Sequence, residues 1–271
     1  MDFILILIAS IIVSGFGTIV GFGGGVFMVP ILVIVFGFPV KVAIGAVIIS
    51  LIPATTISNI FNFRNSTIDP YTAIALGIPT VLGTILGAYL TKIFPLILVE
   101  IIFALVIFLI GIYTILRGKV NKRDRNKNSF LYKANNIGFS IIRKTPYGAY
   151  KLNYFLSTFF GIFSGLIAGF LGIGGGFLQV PVMINIFNIP ILVAVSTSLF
   201  LIFFTSITGS ISHYFLGNIN FSNSIPVLIG FPIGAIIGNL LNVKLKEITL
   251  KILVGGGLIL ASISVLINLI L

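Results

Sequence analysis

Eight apolar runs dominate the chain: Phe3 to Val20, Lys41 to Asn62, Tyr71 to Thr91, Leu96 to Leu116, Asn153 to Leu171, Ile191 to His213, Asn223 to Val243 and Ile248 to Leu271. At about 1.5 Å per helical residue each can cross a hydrocarbon core of about 30 Å. In hydrocarbon the backbone must satisfy its own hydrogen bonds, which restricts spanning segments to helices or closed barrels. With 58% hydrophobic and 8% charged residues, the chain has too little polar surface to coat a soluble globule. The fold class expected is all-α integral membrane, a polytopic helical bundle. Phe3 to Val20 has neither a basic leader nor a small-residue cleavage site, and its counterpart lies mid-chain, so it is expected to belong to the mature fold rather than to a signal peptide.

The runs fall into two homologous halves. Gly21-Phe22-Gly23-Gly24-Gly25 returns as Gly172-Ile173-Gly174-Gly175-Gly176, each followed by a short apolar arm with a proline, Pro30 and Pro181. The match holds at an offset of 151 through Pro39 and Pro190, Val42-Ala43 and Val193-Ala194, Thr55 and Ser206, Gly83 and Gly234, and Gly87 and Gly238. The organisation is thus a membrane repeat over 1–116, a basic connector over 117–151 and a second membrane repeat over 152–271. The short arms, Val26 to Phe38 and Phe177 to Ile189, reach only about 20 Å. Glycine clusters are poor helix interiors, so each marks a break where the chain either continues across or turns back. A broken span leaves the halves parallel; a hairpin leaves them inverted.

Loop charge chooses between these. Ten of the sixteen basic residues lie between Arg117 and Lys151. If that connector is cytoplasmic, inversion places fourteen basic residues inside and two, Lys41 and Lys92, outside; the parallel arrangement moves Lys244, Lys246 and Lys251 out and gives eleven against five. The tendency of basic loops to stay inside favours inverted repeats, each a glycine-broken hairpin plus three spanning helices. The net charge of +11 is accounted for by this loop; the run shows no helical or zinc-finger pattern that would point to nucleic acid. The connector, with Leu131, Tyr132, Ile137, Phe139, Ile141 and Ile142 among its bases, is expected either to lie on inner headgroups or to be a solvated link.

Each break also starts a new half-helix, whose first N–H groups and positive dipole end face the break. Gly21, Gly23, Gly24 and Gly25 with Gly172, Gly174, Gly175 and Gly176 leave that backbone open to an anion, and an inverted pair aims both at one central site. The plainer alternative is that the glycines serve only close helix packing. Hydroxyl and amide donors follow on the next spans: Thr55, Ser58 and Asn59 in the first half, Thr205 and Ser206 in the second, with Gln179 on the short arm. Their plainer alternative is interhelical hydrogen bonding. The five acids, Asp2, Asp69, Glu100, Asp124 and Glu247, sit at run ends or in loops, so no buried carboxylate is expected for a cation or proton path.

Other chemistry is poorly supplied. The chain has no cysteine and one histidine, His213, so no metal site and no cofactor are expected. A serine protease would need Ser164 paired with His213, but Ser164-Gly165 has a twin at Ser14-Gly15 while His213 aligns with Asn62; an enzyme is not expected. The chain resembles the TauE/SafE family of membrane transporters, the sulfite exporters, in its two halves that each open with G-x-G-G-G, an apolar arm and V-P, Gly21 to Pro30 and Gly172 to Pro181. That resemblance implies export or exchange of a small anion, sulfite or an organosulfur acid, across a prokaryotic cell membrane. Met28 stands where the second copy has Gln179, so the two halves offer different donors. The partners expected are the anion and the lipid bilayer, with the connector cytoplasmic. A membrane scaffold or receptor, and a passive anion channel, are the other classes this sequence could serve.

Overall fold

The computed structural model describes residues 2–90, 96–118, 139–171, 174–242 and 245–270. The first half contains α1 (Asp2–Val20), α2 (Gly25–Ile34), α3 (Val40–Arg64), α4 (Pro70–Leu90) and α5 (Leu96–Gly118). A two-stranded hairpin follows, β1 (Ser140–Thr145) and β2 (Gly148–Asn153). The second half contains α6 (Tyr154–Leu171), α7 (Gly176–Asn185), α8 (Ile191–Phe215), α9 (Phe221–Asn242) and α10 (Glu247–Ile270). Among the described residues seven helices, α1, α3, α4, α6, α8, α9 and α10, are long and apolar enough to cross a membrane. The protein is therefore an all-α polytopic membrane protein, as expected. Its side chains are sorted accordingly: on α4, Ile74, Ile78, Leu82 and Leu86 face outward at one-turn spacing, while Thr72, Thr80 and Thr84 are buried.

At both glycine breaks the chain turns back. The ten-residue arm α2 runs down α1: a Cβ on Gly24 would stand 3.0 Å from the Ser14 Cα, and Met28 Sδ lies 3.9 Å from the Ser10 hydroxyl. As the residue number rises on α2 it falls on α1, which is a hairpin rather than a continued span. In the second half the arm folds back likewise, with Gly175 against Ala168 and the Gln179 amide 3.5 Å from the Ser164 hydroxyl.

Helices pair across the halves. Along α4 and α6, Gly161 lies against Leu76, Gly165 against Thr84 and Gly87 against Leu166. Along α1 and α9, Gly230 meets Ser10, and Gly238 meets Gly15 and Thr18. In both pairs the numbers climb together, so the partners are parallel; the glycines let one backbone touch the next, which is how helices gain packing where lipid gives no hydrophobic drive. The central helices α3 and α8 cross antiparallel instead: Ile48 meets Gly209 at one end, and the Phe63 and Phe200 rings sit 5.5 Å apart at the other. Helices α5 and α10 are antiparallel too, with Gly111 beside Gly255 and the Ser262 hydroxyl donating to the Ala104 carbonyl at 2.8 Å.

The hairpin is the one regular element that helix periodicity did not predict. Residues 140–153 are an ordered hairpin rather than a loose link: Ser140 pairs with Asn153 and Thr145 with Gly148 around a tight turn. Leu131, Tyr132 and Ile137 lie outside the described residues. The hairpin docks on Asp69, a carboxylate only 2% exposed, which corrects the expectation that no acid is buried. Arg143 Nη2 stands 2.8 Å from Asp69 Oδ1, the Tyr150 hydroxyl donates to Asp69 Oδ2, and the Thr72 backbone N–H donates to the same oxygen at 3.1 Å, capping α4. The Arg143 guanidinium also lies 3.7 Å above the Tyr71 ring. Burial acts to raise the Asp69 pKa, but the hydrogen bonds from Arg143, Tyr150 and Thr72 together outweigh it and hold the group below its ordinary 3.8.

Arg143→Ala strands this carboxylate and is expected to lower the unfolding free energy in detergent by about 2 kcal/mol, between the values for exposed and fully buried pairs. Because the folded pKa is depressed, the unfolded chain takes up the proton first as pH falls; the stabilisation is complete above about pH 5 and drains away through and below about pH 4. Thermal unfolding of Asp69→Asn should lose that part of the acid sensitivity.

Candidate functional site at the meeting of the two breaks

The two breaks meet at the centre of the molecule. A Cβ on Gly23 would lie 2.9 Å from Leu51 Cδ2 and 3.4 Å from Ile202 Cδ1; one on Gly174 would lie 2.9 Å from Ile202 Cγ2 and 3.1 Å from Leu51 Cδ1. Leu51 and Ile202 are themselves equivalent positions, at the midpoints of α3 and α8, and both are fully buried. A Cβ on Gly176 would stand 2.5 Å from the Gly21 carbonyl oxygen, so the breaks touch backbone to backbone. The glycines are required by conformation as well as space: Gly24 and Gly175, which cap the arms, have φ of 97° and 78°. Gly25 is the first, buried residue of α2, and Gly172 lies outside the described residues.

Hydroxyl groups from α8 complete both breaks. Ser198 Oγ donates to the Gly21 carbonyl at 2.8 Å, and Thr205 Oγ1 donates to the Gly174 carbonyl at 3.1 Å. Seven residues apart, they share one helix face. The equivalent positions on α3 are Val47 and Ala54, so one helix holds both turns. Of the donors expected from sequence, Thr205 alone reaches a break; Ser198 was one of a longer polar run with no feature to single it out.

The other expected donors lie elsewhere. Thr55 donates to the Leu51 carbonyl at 2.6 Å and Ser206 to that of Phe203 at 3.0 Å, each bonding its own helix. Ser58 accepts from Asn239 Nδ2 at 2.9 Å, two turns along α3 from Leu51, and Asn59 beside it keeps Oδ1 buried without a partner. Gln179 reaches away between α4 and α6, donating to Thr80 Oγ1 at 3.2 Å, with Oε1 buried and unpaired. His213 is held at both ring nitrogens: Asn218 Nδ2 donates to Nδ1 at 2.9 Å and Nε2–H donates to the Gly169 carbonyl at 3.0 Å. Ser164 bonds the Gly161 carbonyl rather than that ring. Among the described residues no group of acids and histidines could hold a metal.

A cavity of about 140 Å³ opens at the end of the molecule that carries the hairpin. It is lined by Asn62 and Asn65 at the end of α3, Thr67, Tyr147 at the hairpin tip, Leu192 at the start of α8, and Asn239 and Asn242 at the end of α9. The last two were passed over in sequence as part of an apolar run; carboxamides three apart in a membrane span were the available signal.

A sequence model described as "Sulfite exporter TauE/SafE" matches residues 6–265. The chain is 28% identical to the probable membrane transporter protein YunE of Bacillus subtilis over 92% of each chain. It is 24% identical to the probable membrane transporter protein YdhB of the same species, over 93% of this chain and 94% of that one. A probable membrane transporter protein of Methanocaldococcus jannaschii is 27% identical over 90% of this chain and 86% of its own. No solved structure matches the chain. With nearly the whole length matched, glycine breaks included, the chain belongs to the TauE/SafE sulfite exporter family of membrane transporters.

Proposed function

We propose that the protein carries a small anion, sulfite or an organosulfur acid, across the cell membrane by alternating access, with the paired glycine breaks at the centre of the path. The observation that carries this reading is the contact of Gly21 with Gly176 beside Leu51 and Ile202. Two irregular, polar backbone turns are brought together in a protein interior, which is where membrane proteins place such backbone when it serves a solute. The sulfite of the family's name supplies the cargo class. In this conformation Leu51 and Ile202 close the space between the turns, so passage requires α3 and α8 to part there. Ser198 and Thr205 are the hydroxyls that would turn from carbonyl to solute as they do.

The same reading takes the halves as inverted repeats. Support comes from the directions of the helices: α3 and α8, equivalent in sequence, cross antiparallel, and each half lends a helix to a parallel pair with the other. The ends of α3 and α9, the start of α8 and the hairpin gather at one end, around Asn62, Asn242, Leu192 and Tyr147. Arg64 and Lys246 belong to that end and Lys41 to the opposite one, which makes the hairpin end cytoplasmic by the distribution of basic residues. The arrangement is thus multi-pass, with the connector inside.

Two measurements test this. In proteoliposomes, Ser198→Ala combined with Thr205→Val should cut sulfite counterflow about tenfold or more, the worth of one or two buried hydrogen bonds, and should also lower the unfolding temperature, because two buried carbonyls lose their partners; full counterflow in the folded variant would remove the breaks from the path, and flux without counterflow would make the protein a pore. Since the native chain has no cysteine, Lys246→Cys should react with an impermeant maleimide only from the cytoplasm and Lys41→Cys only from outside. Labelling of Lys246→Cys from outside would overturn the inverted arrangement.

A further inference from the structure

The cavity at the hairpin end lies between two groups of helices. In the first, α4 is tied to α8: the Asp69 backbone N–H donates to Thr197 Oγ1 at 3.2 Å, and a Cβ on Gly77 would stand 2.9 Å from Leu201 Cδ2. Helix α6 joins them through its glycine contacts with α4. In the second, α9 is tied to α3 and α1: Asn239 Nδ2 donates to Ser58 Oγ at 2.9 Å, and Asn242 Nδ2 to the Ile19 carbonyl at 3.4 Å. Leu192 lines the cavity from the first group, and Asn62, Asn65, Asn239 and Asn242 line it from the second.

The β-hairpin is built onto the first group. It runs directly into α6, where Asn153 Oδ1 accepts the Leu156 N–H at 3.0 Å. Arg143 and Tyr150 pin its middle to Asp69 at the start of α4. At its tip, a Cβ on Gly148 would lie 3.3 Å from Cγ of Pro190, which caps α8. Tyr147, next to Gly148, reaches the other way: it lines the cavity, and its hydroxyl donates at 3.0 Å to the carbonyl of Asn65, the cap of α3. One side chain borne by the first group thus crosses the cavity to the second.

We propose that the β-hairpin is a latch on this end of the molecule: the bond from Tyr147 to Asn65 holds the two groups of helices together, and its release lets them part around the cavity. The motion it restrains rests on the carrier reading. The two fastenings of the hairpin differ in kind. The grip on Asp69 is buried, and breaking it would strand a charge, so it stays made through the cycle. Tyr147 is 43% exposed and Asn65 is exposed too, so water satisfies both the hydroxyl and the carbonyl once their bond opens. A fixed base and a releasable tip make the hairpin a strap rather than a plug. The connector that carries it occurs once in a duplicated chain, so the restraint acts on one end and biases the carrier toward the state closed there.

Thiol labelling of the full chain in nanodiscs tests this apart from transport, since the native sequence has no cysteine. Asn62→Cys, at a cavity-lining position 7% exposed, reports opening of the hairpin end. Ser210→Cys, eight residues beyond Ile202 on α8 and 7% exposed, reports the opposite end. Tyr147→Phe keeps the ring in the cavity wall and removes the hydrogen bond alone. In that background Asn62→Cys should react with a small water-soluble thiol reagent about two- to tenfold faster, the worth of one hydrogen bond, and Ser210→Cys more slowly. The unfolding temperature should stay nearly unchanged, because the lost bond is exposed. An unchanged rate at Asn62→Cys overturns the latch, as do equal rises at both positions, which mean general loosening. A rise at Asn62→Cys alone supports the latch without alternation of the two ends. Should Asn62→Cys fail to fold, Leu192→Cys on the facing wall reads the same opening. In proteoliposomes, joining Tyr147→Cys to Asn65→Cys with a reducible dithiol-reactive cross-linker should stop sulfite counterflow until the linker is cleaved. Counterflow that persists through complete cross-linking overturns the latch; absence of counterflow before cross-linking removes the carrier reading and leaves the labelling to decide the latch.

Discussion

The structure depends on satisfying backbone carbonyls where water is scarce. Each glycine break interrupts a helix ladder in the middle of an apolar body, and each leaves a carbonyl that only another group of the protein can bond. Ser198 and Thr205 meet that need for Gly21 and Gly174 from a single face of α8. The positive φ values of Gly24 and Gly175, the short arms and the convergence of Leu51 and Ile202 follow from two turns being seated against the same pair of crossing helices. Hydroxyls on α8 with none at the matching places on α3 make this centre lopsided despite its duplicated origin.

Around that centre, packing is set by backbone contact rather than by large side chains. The parallel pairs of α4 with α6 and α1 with α9 meet along glycines whose neighbours are main-chain atoms, while the bulky residues of the same helices face outward. This division is what a membrane solvent dictates, since apolar side chains gain little from leaving lipid and close contact gains dispersion. The hairpin adds a different kind of fastening at one end. Asp69, capping α4 and gripped by Arg143 and Tyr150, joins the connector to the first half, and its backbone N–H donates to Thr197 at the start of α8 at 3.2 Å.

Much of this was legible in the sequence because membrane helices announce themselves by length and the duplication by a fixed offset. The turn-back at Gly21 to Gly25 was favoured by the distribution of basic residues, and the breaks themselves were marked by their repetition. What was not legible depended on distances between segments far apart in the chain. Thr55 and Ser206 have the spacing of inward donors, yet each bonds the carbonyl a turn or less behind it, a local option that any serine or threonine in a helix has. Gln179 sits three residues beyond a break, but its side chain follows the hairpin back toward Thr80. The strands were hidden because Arg143, Lys144 and Lys151 continue the basic composition that made the segment look like a loop. Asp69, at the end of a run, gave no sign that Arg143 would bury it.

The exchange of helices between the halves has an evolutionary corollary. Because α1 is packed on α9 and α4 on α6, and because Gly21 takes its hydrogen bond from Ser198, neither half contains the contacts that would complete it alone. A half standing alone would need a second copy to supply those contacts. Fusion then freed each copy to drift separately, and the divergence of Val47 from Ser198 and of Asn62 from His213 is the trace of that freedom.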